Sequence, residues 1–235
     1  MIDAGRRSEL AAALAQVHDR IERACTAAGR PASEVTLVAV TKTYPASDVV
    51  LLAGLGVTDV GENRDQEAAP KASLARAEGA TPRWHFIGQL QRNKARSVVG
   101  YADVVESVDS VRLSEALARA AASRPTPLEV LVQVSIDGDA ARGGAVGDDL
   151  WRVSDSVAAA DTLRLGGVMA VAPVDWDPDR AFEQLQRLSE RLVQAHPSAT
   201  AISAGMSGDL EAAVRHGATH VRIGTSLLGM RNPLR

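Results

Sequence analysis

A strict alternation of short apolar runs and helical patterns constrains this chain more than any other feature of its sequence. An amphipathic helix is predicted over residues 6–28, and eight apolar runs then alternate with seven helical stretches. The predicted strands are 35–40, 57–61, 84–88, 104–108, 128–134, 165–170, 200–204 and 220–224. The predicted helices are 46–55, 66–78, 93–99, 110–122, 148–160, 178–196 and 209–216. Continuous apolar strands in such an alternation predict a buried parallel sheet.

Eight strand–helix units in about 200 residues favour closure of that sheet into a barrel. The alternative is an open doubly wound sheet, in which a glycine-rich turn follows the first strand. Here the first strand runs into Thr41-Lys42-Thr43-Tyr44-Pro45, which contains no glycine. We therefore expect an α/β fold with a single (β/α)8 TIM-type barrel domain over residues 1–235. The extra N-terminal helix, within residues 1–30, is expected to pack on the barrel.

Helix starts are also predicted from side chains that can accept hydrogen bonds from free backbone amides. Such oxygens occur where four of the predicted helices begin. They belong to Ser47 and Asp48, Ser110, Asp148 and Asp209.

Composition excludes several classes of function. The net charge is −3, from 26 basic and 29 acidic residues, and aromatic residues make up 3% of the chain. A nucleic-acid binder would carry a basic surface, which this balance does not provide. The N-terminal residues are charged and no apolar run is long enough to span a bilayer, so neither a signal peptide nor a membrane anchor is expected. With one cysteine, Cys25, the chain fits a cytoplasmic protein.

Lys42 is the first candidate functional residue. In a barrel, the carboxyl ends of the strands and the loops after them form the functional face. Lys42 shares its parity with Val38 and Val40, so we expect it to face the same side as core residues. In a partly desolvated mouth a lysine tends towards the neutral amine, which attacks a carbonyl to form a Schiff base. The alternative interpretation is an ordinary exposed lysine at the end of a strand.

Two segments after the last two strands are typical of a phosphate site. The segments are Gly205-Met206-Ser207-Gly208 and Gly224-Thr225-Ser226. Small residues let backbone amides close around an anion, and these two loops are the customary phosphate site of a barrel. The alternative is that both are merely tight turns.

Arg222 and Asn63 are further candidates, each with a structural alternative. Arg222 lies between Val221 and Ile223 in an apolar strand, where a charge is costly unless it is paired or reaches a ligand. Its alternative role is a salt bridge with Glu62 or another carboxylate. Asn63 offers a donor and an acceptor at the end of the second strand, and its alternative role is to cap the next helix.

Other constellations fail on their spacing. The segment from Gly205 to Asp209 misses the nucleophile elbow G-x-S-x-G at its last position. His216 and His220 are four residues apart, but Gly217 ends the helix that would align them as metal ligands. No metal site is therefore expected.

Five segments resemble one known family. They are VAVTKTYP (38–45), GENRDQE (61–67), WHFIGQLQRNK (84–94), GMSGDLEAAV (205–214) and VRIGTSLLG (221–229). These motifs are similar to those of the pyridoxal phosphate homeostasis proteins, and the resemblance covers nearly the whole chain. It implies pyridoxal 5'-phosphate as the cofactor, and a barrel resembling the N-terminal domain of alanine racemases.

The resemblance also implies a role for each matching position. Lys42 is expected to bear the cofactor as a Schiff base, Arg222 to approach its pyridine nitrogen, and Asn63 to lie beside its ring. The residues expected to hold the phosphate are Ser203, Met206, Ser207, Gly224 and Thr225. After the fifth strand, Arg142 and Gly144 fill the places of a basic residue and a glycine that the family usually carries, with arginine where lysine is common.

The sequence favours a cofactor carrier over a strong enzyme. An arginine at the ring nitrogen disfavours protonation there, which weakens the electron sink of the cofactor. The chain ends ten residues after Thr225, which leaves no room for the second domain and catalytic tyrosine of a racemase. The first hypothesis is a monomeric protein that buffers pyridoxal phosphate or delivers it to apoenzymes, with no assigned catalytic residue. The second is a small amino-acid racemase or related enzyme; Tyr44 is near Lys42 and could reach the site, so weak activity stays open. A remote third is a phosphate-sugar enzyme that uses Lys42 as an aldolase-type amine.

Overall fold

The central element of the protein is a closed barrel of eight parallel strands. The computed structural model describes residues 4–139 and 143–229 of the 235-residue chain. Each strand pairs with its neighbours in sequence, and β1 pairs with β8 to close the barrel. The strands are β1 (Thr36–Val40), β2 (Asp59–Glu62), β3 (Arg83–Phe86), β4 (Val104–Val108), β5 (Leu128–Gln133), β6 (Leu163–Met169), β7 (Ala201–Ser203) and β8 (His220–Ile223). The predicted α/β barrel is confirmed.

Helices surround the barrel in the predicted alternation. They are α1 (Ala4–Ala27), α2 (Ala46–Gly54), α3 (Asp65–Ala77), α4 (Ala95–Val99), α5 (Val111–Ala120), α6 (Asp149–Ala158), α7 (Pro178–Ala195), α8 (Leu210–Arg215) and α9 (Thr225–Leu228). The helix α1 packs against α8 and α9 through a stripe that includes Leu10, Leu14, Val17 and Ile21. The short α9 was not predicted from the sequence. In the described part of the chain, no helix is both long enough and apolar enough to cross a membrane.

The predicted side-chain caps are wrong. Ser110, Asp148 and Asp209 do lie at helix starts, but none caps its helix, and the residue before α2 is Pro45. The acidic groups bind other partners: Asp48 accepts from Arg6 at 2.8 Å, and Asp209 accepts from the amide of Met206 at 2.6 Å. A tertiary contact thus replaces the cap at Asp48, and a contact within the preceding loop replaces it at Asp209.

The two faces of the barrel differ in chemistry. The outer face packs on the helices through a continuous apolar layer that includes Phe86, Leu117 and Phe182. Inside the barrel, a small apolar cluster of Val104, Leu131 and Met169 is accompanied by several buried charges. The charges inside the barrel include Asp59, His85, Glu106, Glu129 and Arg222. The interior of the barrel is thus packed with side chains, many of them charged. The carboxyl ends of the strands form the end of the barrel where the candidate site lies.

Candidate functional site

Lys42 lies in a turn immediately after β1. The turn is closed by a hydrogen bond from the amide of Tyr44 to the carbonyl of Thr41, at 3.0 Å. The Lys42 side chain is exposed, and it makes no hydrogen bond or ion pair with any described residue. The expectation of a partly desolvated amine is therefore not met, but the amine is accessible at the carboxyl end of the barrel.

The residue after Lys42 has an uncommon backbone conformation. Thr43 has a φ of 74°, and within residues 4–139 and 143–229 no other non-glycine residue has a positive φ. A β-branched residue adopts this conformation only where the surroundings enforce it. Glu67 accepts a hydrogen bond from the amide of Thr43 at 3.1 Å. The turn that carries Lys42 is therefore fixed from the side of α3.

A buried ion pair supports the same turn from below. Lys71 is 7% exposed, and its Nζ lies 2.5 Å from Oε1 of Glu62 and 2.8 Å from the carbonyl of Thr41. The hydroxyl of Thr41 donates to the same Glu62 oxygen at 2.7 Å. Burial raises the pKa of Glu62, and the hydrogen bonds from Lys71 and Thr41 oppose that rise. The pair holds the backbone on the N-terminal side of Lys42.

The chain contains three lysines, and their environments differ. Lys71 is paired with the buried Glu62. Lys94, the residue before α4, has its Nζ 4.0 Å from the carboxylate of Asp65, the first residue of α3. Lys42 is the lysine that follows a barrel strand directly and leaves its amine unpaired by the described residues. The geometry thus singles out Lys42 as the amine of the site.

Arg222 enters the barrel from β8 and is 4% exposed. Its Nη1 donates to the hydroxyl of Ser203 at 2.7 Å, and its Nη2 donates to the carbonyl of Ala170 at 2.8 Å. No acceptor among the described residues bonds its Nε. Its carboxylate neighbour is Glu106, at 3.9 Å, and not Glu62. Arg222 therefore combines a structural pairing with further N–H groups, that of Nε among them, that can donate to a ligand.

Sequence reasoning missed the residues behind Arg222. Glu106 accepts from Ser203 at 2.6 Å and lies 2.6 Å from Nδ1 of His85, while Nε2 of His85 lies 2.9 Å from Asp59. Because β4 and β7 are not neighbours in the sheet, the Glu106–Ser203 bond crosses the barrel interior.

The sequence contains a signal for Glu106. Glu106 lies in the middle of a predicted apolar strand, as Arg222 does, so the cost of an unpaired buried charge applies to both. The pairing of β4 with β5 also shifts register between Val105 and Val108, and such a bulge re-aims side chains.

The loop after β7 has a constrained shape. Gly205 has a φ of 89°, and a Cβ there would lie 2.6 Å from the Cβ of Ala213. The amide of Met206 donates to Asp209 at 2.6 Å, and the Met206 side chain is 40% exposed. The Ser207 hydroxyl accepts from the amide of Ser226 at 3.4 Å, which joins this loop to the one after β8.

The loop after β8 leads into the first turn of α9. Thr225 is exposed and Gly224 is half-buried against Val40 of β1. The first amides of a helix have no partner within that helix, so they can donate to an anion. The structure therefore brings the two predicted phosphate segments side by side, next to the strand that leads to Lys42.

Asn63 follows β2 and has an orphaned acceptor. Its Oδ1 is buried and has no hydrogen-bond partner among the described residues. The residue before α3 is Arg64, so Asn63 does not cap that helix. A buried amide oxygen without a partner is costly, which makes it a candidate contact for a bound molecule.

In the loop after β5, Arg142 lies outside the described residues. Gly144 has a φ of 104° and packs closely on Ser135. Within the described ranges no group of three or more His, Cys, Asp or Glu side chains is arranged to hold a metal ion, and His216 is bonded to Asp179.

Taken together, the site offers an accessible amine, a buried guanidinium with a remaining donor, and two adjoining small-residue loops. This combination suits a ligand with a carbonyl group, a ring acceptor and an anionic group. The residues present thus fit pyridoxal phosphate, which carries an aldehyde, a pyridine nitrogen and a phosphate.

Comparisons with known proteins agree with this geometry. A profile of the family described as "Alanine racemase, N-terminal domain" matches residues 13–232. The chain is 44% identical over 247 residues to the pyridoxal phosphate homeostasis protein of Mycobacterium leprae, covering 97% of this chain and 96% of that protein. It is 36% identical over 229 residues to the protein of the same name from Escherichia coli strain K12, covering 96% of this chain and 98% of that protein.

A solved structure shows the same fold at similar length. PipY of Synechococcus elongatus, with pyridoxal phosphate bound, superposes with a TM-score of 0.82 at 32% identity and covers 94% of this chain and 100% of that one. The chain therefore belongs to the alanine racemase N-terminal domain family and, within it, to the pyridoxal phosphate homeostasis proteins.

Proposed function

We propose that this chain binds pyridoxal 5'-phosphate and serves its homeostasis, by buffering the cofactor or delivering it. Lys42 is the point of covalent attachment, Arg222 donates to the pyridine nitrogen, and Asn63 lies beside the ring. The loops after β7 and β8 hold the phosphate. The residues that we assign to it are Met206, Ser207, Gly224 and Thr225.

The observation that carries this proposal is the bonding of Arg222. Two of its nitrogens are fixed by Ser203 and the carbonyl of Ala170, and no described residue accepts from the third. An N–H group of Arg222 that has no acceptor among the described residues can donate to a ligand, and a pyridine nitrogen is such an acceptor. The lysine turn lies on β1, which pairs with the strand of Arg222.

The two tyrosines support a carrier rather than a racemase. The hydroxyl of Tyr44 donates to the carbonyl of Gly229 at 2.7 Å. Tyr101 belongs to the apolar layer outside the barrel, where its ring meets Trp84 edge to face. Burial raises the pKa of Tyr101 well above its ordinary value. Neither tyrosine is thus placed as an acid–base group for a bound amino acid.

When bound, pyridoxal phosphate supplies an aldehyde that an amine can attack and a ring that can accept electrons. Under this proposal the protein attaches and orients the cofactor, and Arg222 leaves the ring nitrogen unprotonated because a guanidinium retains its proton. The electron sink is then weak, which suits storage. We place this function in the cytoplasm, with a monomeric protein and pyridoxal-phosphate-dependent apoenzymes as recipients.

Reduction of the loaded protein tests the attachment point. The purified chain is saturated with pyridoxal phosphate, reduced with borohydride and mapped by peptide mass spectrometry. We expect a stable adduct on Lys42, and loss of both the adduct and the yellow absorbance band in Lys42→Ala. Lys94→Ala is the matched control and should retain both.

Two results would contradict the proposal. An adduct on Lys71 or Lys94, or none in saturated protein, would refute the site. Rapid racemisation of an amino acid that disappears in Lys42→Ala would show an enzyme instead of a carrier.

A further inference from the structure

Five buried side chains form one continuous row inside the barrel. Asp59 bonds His85 at 2.9 Å, His85 bonds Glu106 at 2.6 Å, Glu106 accepts from Ser203 at 2.6 Å, and Ser203 accepts from Arg222 at 2.7 Å. The members come from β2, β3, β4, β7 and β8, so the row crosses the interior from one wall to the other. Each of the five is at most 5% exposed.

The charges along this row alternate. Both ring nitrogens of His85 face a carboxylate oxygen, so both must carry a proton to donate. Burial alone would lower the pKa of His85, but the bonds to Asp59 and Glu106 raise it to about 9. Burial alone would raise the pKa of Glu106, but His85 and Arg222 lower it to about 2. The order is carboxylate, imidazolium, carboxylate, guanidinium, and the row has no net charge.

Ser203 is the link between the anionic part of the row and Arg222. Its hydroxyl donates to Glu106 and accepts from Nη1 of Arg222, so both of its roles as a hydrogen-bonding group are occupied inside the protein. The carboxylate of Glu106 is 3.9 Å from Nη1 of Arg222, so it attracts the guanidinium directly, and the Ser203 hydroxyl bonds to both groups. Nη2 of Arg222 is fixed separately by the carbonyl of Ala170.

We infer that Glu106 and His85 are positioning residues for the cofactor, which act through Ser203 to fix the orientation of Arg222 at the pyridine nitrogen. This inference rests on the proposed function, and it gives Ser203 a different role from the phosphate contact that the family resemblance implies. The row sets the electronic state of the bound ring, while the loops after β7 and β8 set the affinity for the phosphate.

The test compares Ser203→Ala and Glu106→Gln with Glu129→Gln. Glu129 is the control because it is also a buried carboxylate of the barrel and has no hydrogen bond to the row; its partners are Arg164 and Arg83, and Arg83 also lies 3.9 Å from Asp59. The readouts are the absorbance spectrum of the bound cofactor and the affinities for pyridoxal phosphate and for pyridoxal, which lacks the phosphate. Thermal unfolding of each ligand-free variant checks its fold.

We expect Ser203→Ala and Glu106→Gln to shift the absorbance band and to weaken both ligands by about tenfold, the effect of one lost hydrogen bond to a charged group. Glu129→Gln should match the unaltered protein. If Glu106→Gln does not fold, Ser203→Ala decides, since it removes one oxygen atom.

Several results would overturn the inference. One is an unchanged spectrum and unchanged affinities in Ser203→Ala. Another is a loss for pyridoxal phosphate but not for pyridoxal, which would place Ser203 at the phosphate. An equal shift in Glu129→Gln would show a general electrostatic effect. Absence of cofactor binding in the unaltered protein would instead refute the proposed function, and with it the inference.

Discussion

Gly88 shows how one residue without a side chain fixes a group of the site. It follows β3, and a Cβ at this position would lie 2.1 Å from the carbonyl oxygen of Asn63. Real atoms do not approach so closely, so the two backbones touch only because residue 88 is glycine. This contact holds Asn63, whose side-chain oxygen is left without a partner among the described residues.

We predict that Gly88→Ala destabilises the protein by about 2 kcal/mol or more, because the backbone of Asn63 must move to admit the methyl group. Urea unfolding of the ligand-free protein measures the change. Gly54→Ala is the control: no heavy atom lies within 4 Å of its Cβ position, at the end of α2, so its effect should be neutral or slightly stabilising. Equal stabilities of the two variants would refute the close contact.

At the scale of residues, the sequence predicted those whose context was unusual. Arg222 was found because a charge interrupted an apolar strand, and Lys42 because it followed one. Glu106 interrupts an apolar strand in the same way, whereas His85 resembles an ordinary strand residue. Their pairing depends on which strands face each other across the barrel, and strand order alone does not reveal that. The exposure of Lys42 likewise depends on the turn geometry around Thr43.

At the scale of elements, α1 contacts both loops of the functional face that follow β7 and β8. Arg20 donates to the carbonyl of Ser207 at 3.1 Å and pairs with Glu211 of α8 at 2.8 Å. Arg6 donates to the carbonyl of Leu228 at the end of α9, at 3.1 Å. The extra N-terminal helix thus restrains both loops that we assign to the phosphate.

We predict that Arg20→Gln weakens the binding of pyridoxal phosphate by about tenfold, because the loop that contains Ser207 loses a charged hydrogen bond. Pyridoxal, which has no phosphate, should bind as before. Arg23→Gln is the control, since Arg23 lies three residues further along α1 and pairs only with Asp19 of the same helix among the described residues. Absorbance titrations measure both affinities. A loss of equal size in both variants, or none in Arg20→Gln, would contradict the role of α1.

The elements themselves were predicted better than their ends. Hydrophobic periodicity located every strand and the first eight helices, because a buried face leaves a regular pattern. At Asp48 the cap failed because the carboxylate binds Arg6, which only the tertiary structure brings close; at Asp209 it failed because the carboxylate accepts from the amide of Met206 in the preceding loop. The helix α9 is four residues long, too short to leave a periodic pattern.

At the scale of the whole molecule, the alternation of eight units was sufficient to predict closure of the barrel, but not the polar character of its interior. The buried row from Asp59 to Arg222 joins side chains of five strands by hydrogen bonds between groups of alternating charge. Its central charge is that of His85, so the stability of the entire barrel should depend on the protonation of this residue.

We predict that the ligand-free protein loses stability between about pH 6.5 and pH 9. The pKa of His85 is raised to about 9 in the folded protein, from an ordinary value of 6.5, so the folded state holds a proton that the unfolded state releases. The stabilisation is complete below pH 6.5 and disappears as the pH rises through the folded pKa. Its size is on the order of 3 kcal/mol, from the free energy of a pKa shift.

Urea unfolding at a series of pH values measures this slope. His85→Gln should be less stable at pH 6 and should lose most of the decline, whereas His18→Gln, which changes an exposed histidine of α1, should keep it. Burial lowers the pKa of His220, so the titration of that residue affects stability only below pH 6.5. It does not contribute to the change between pH 6.5 and pH 9. An unchanged slope in His85→Gln would mean that His85 carries no extra proton and that the row is not charged as described.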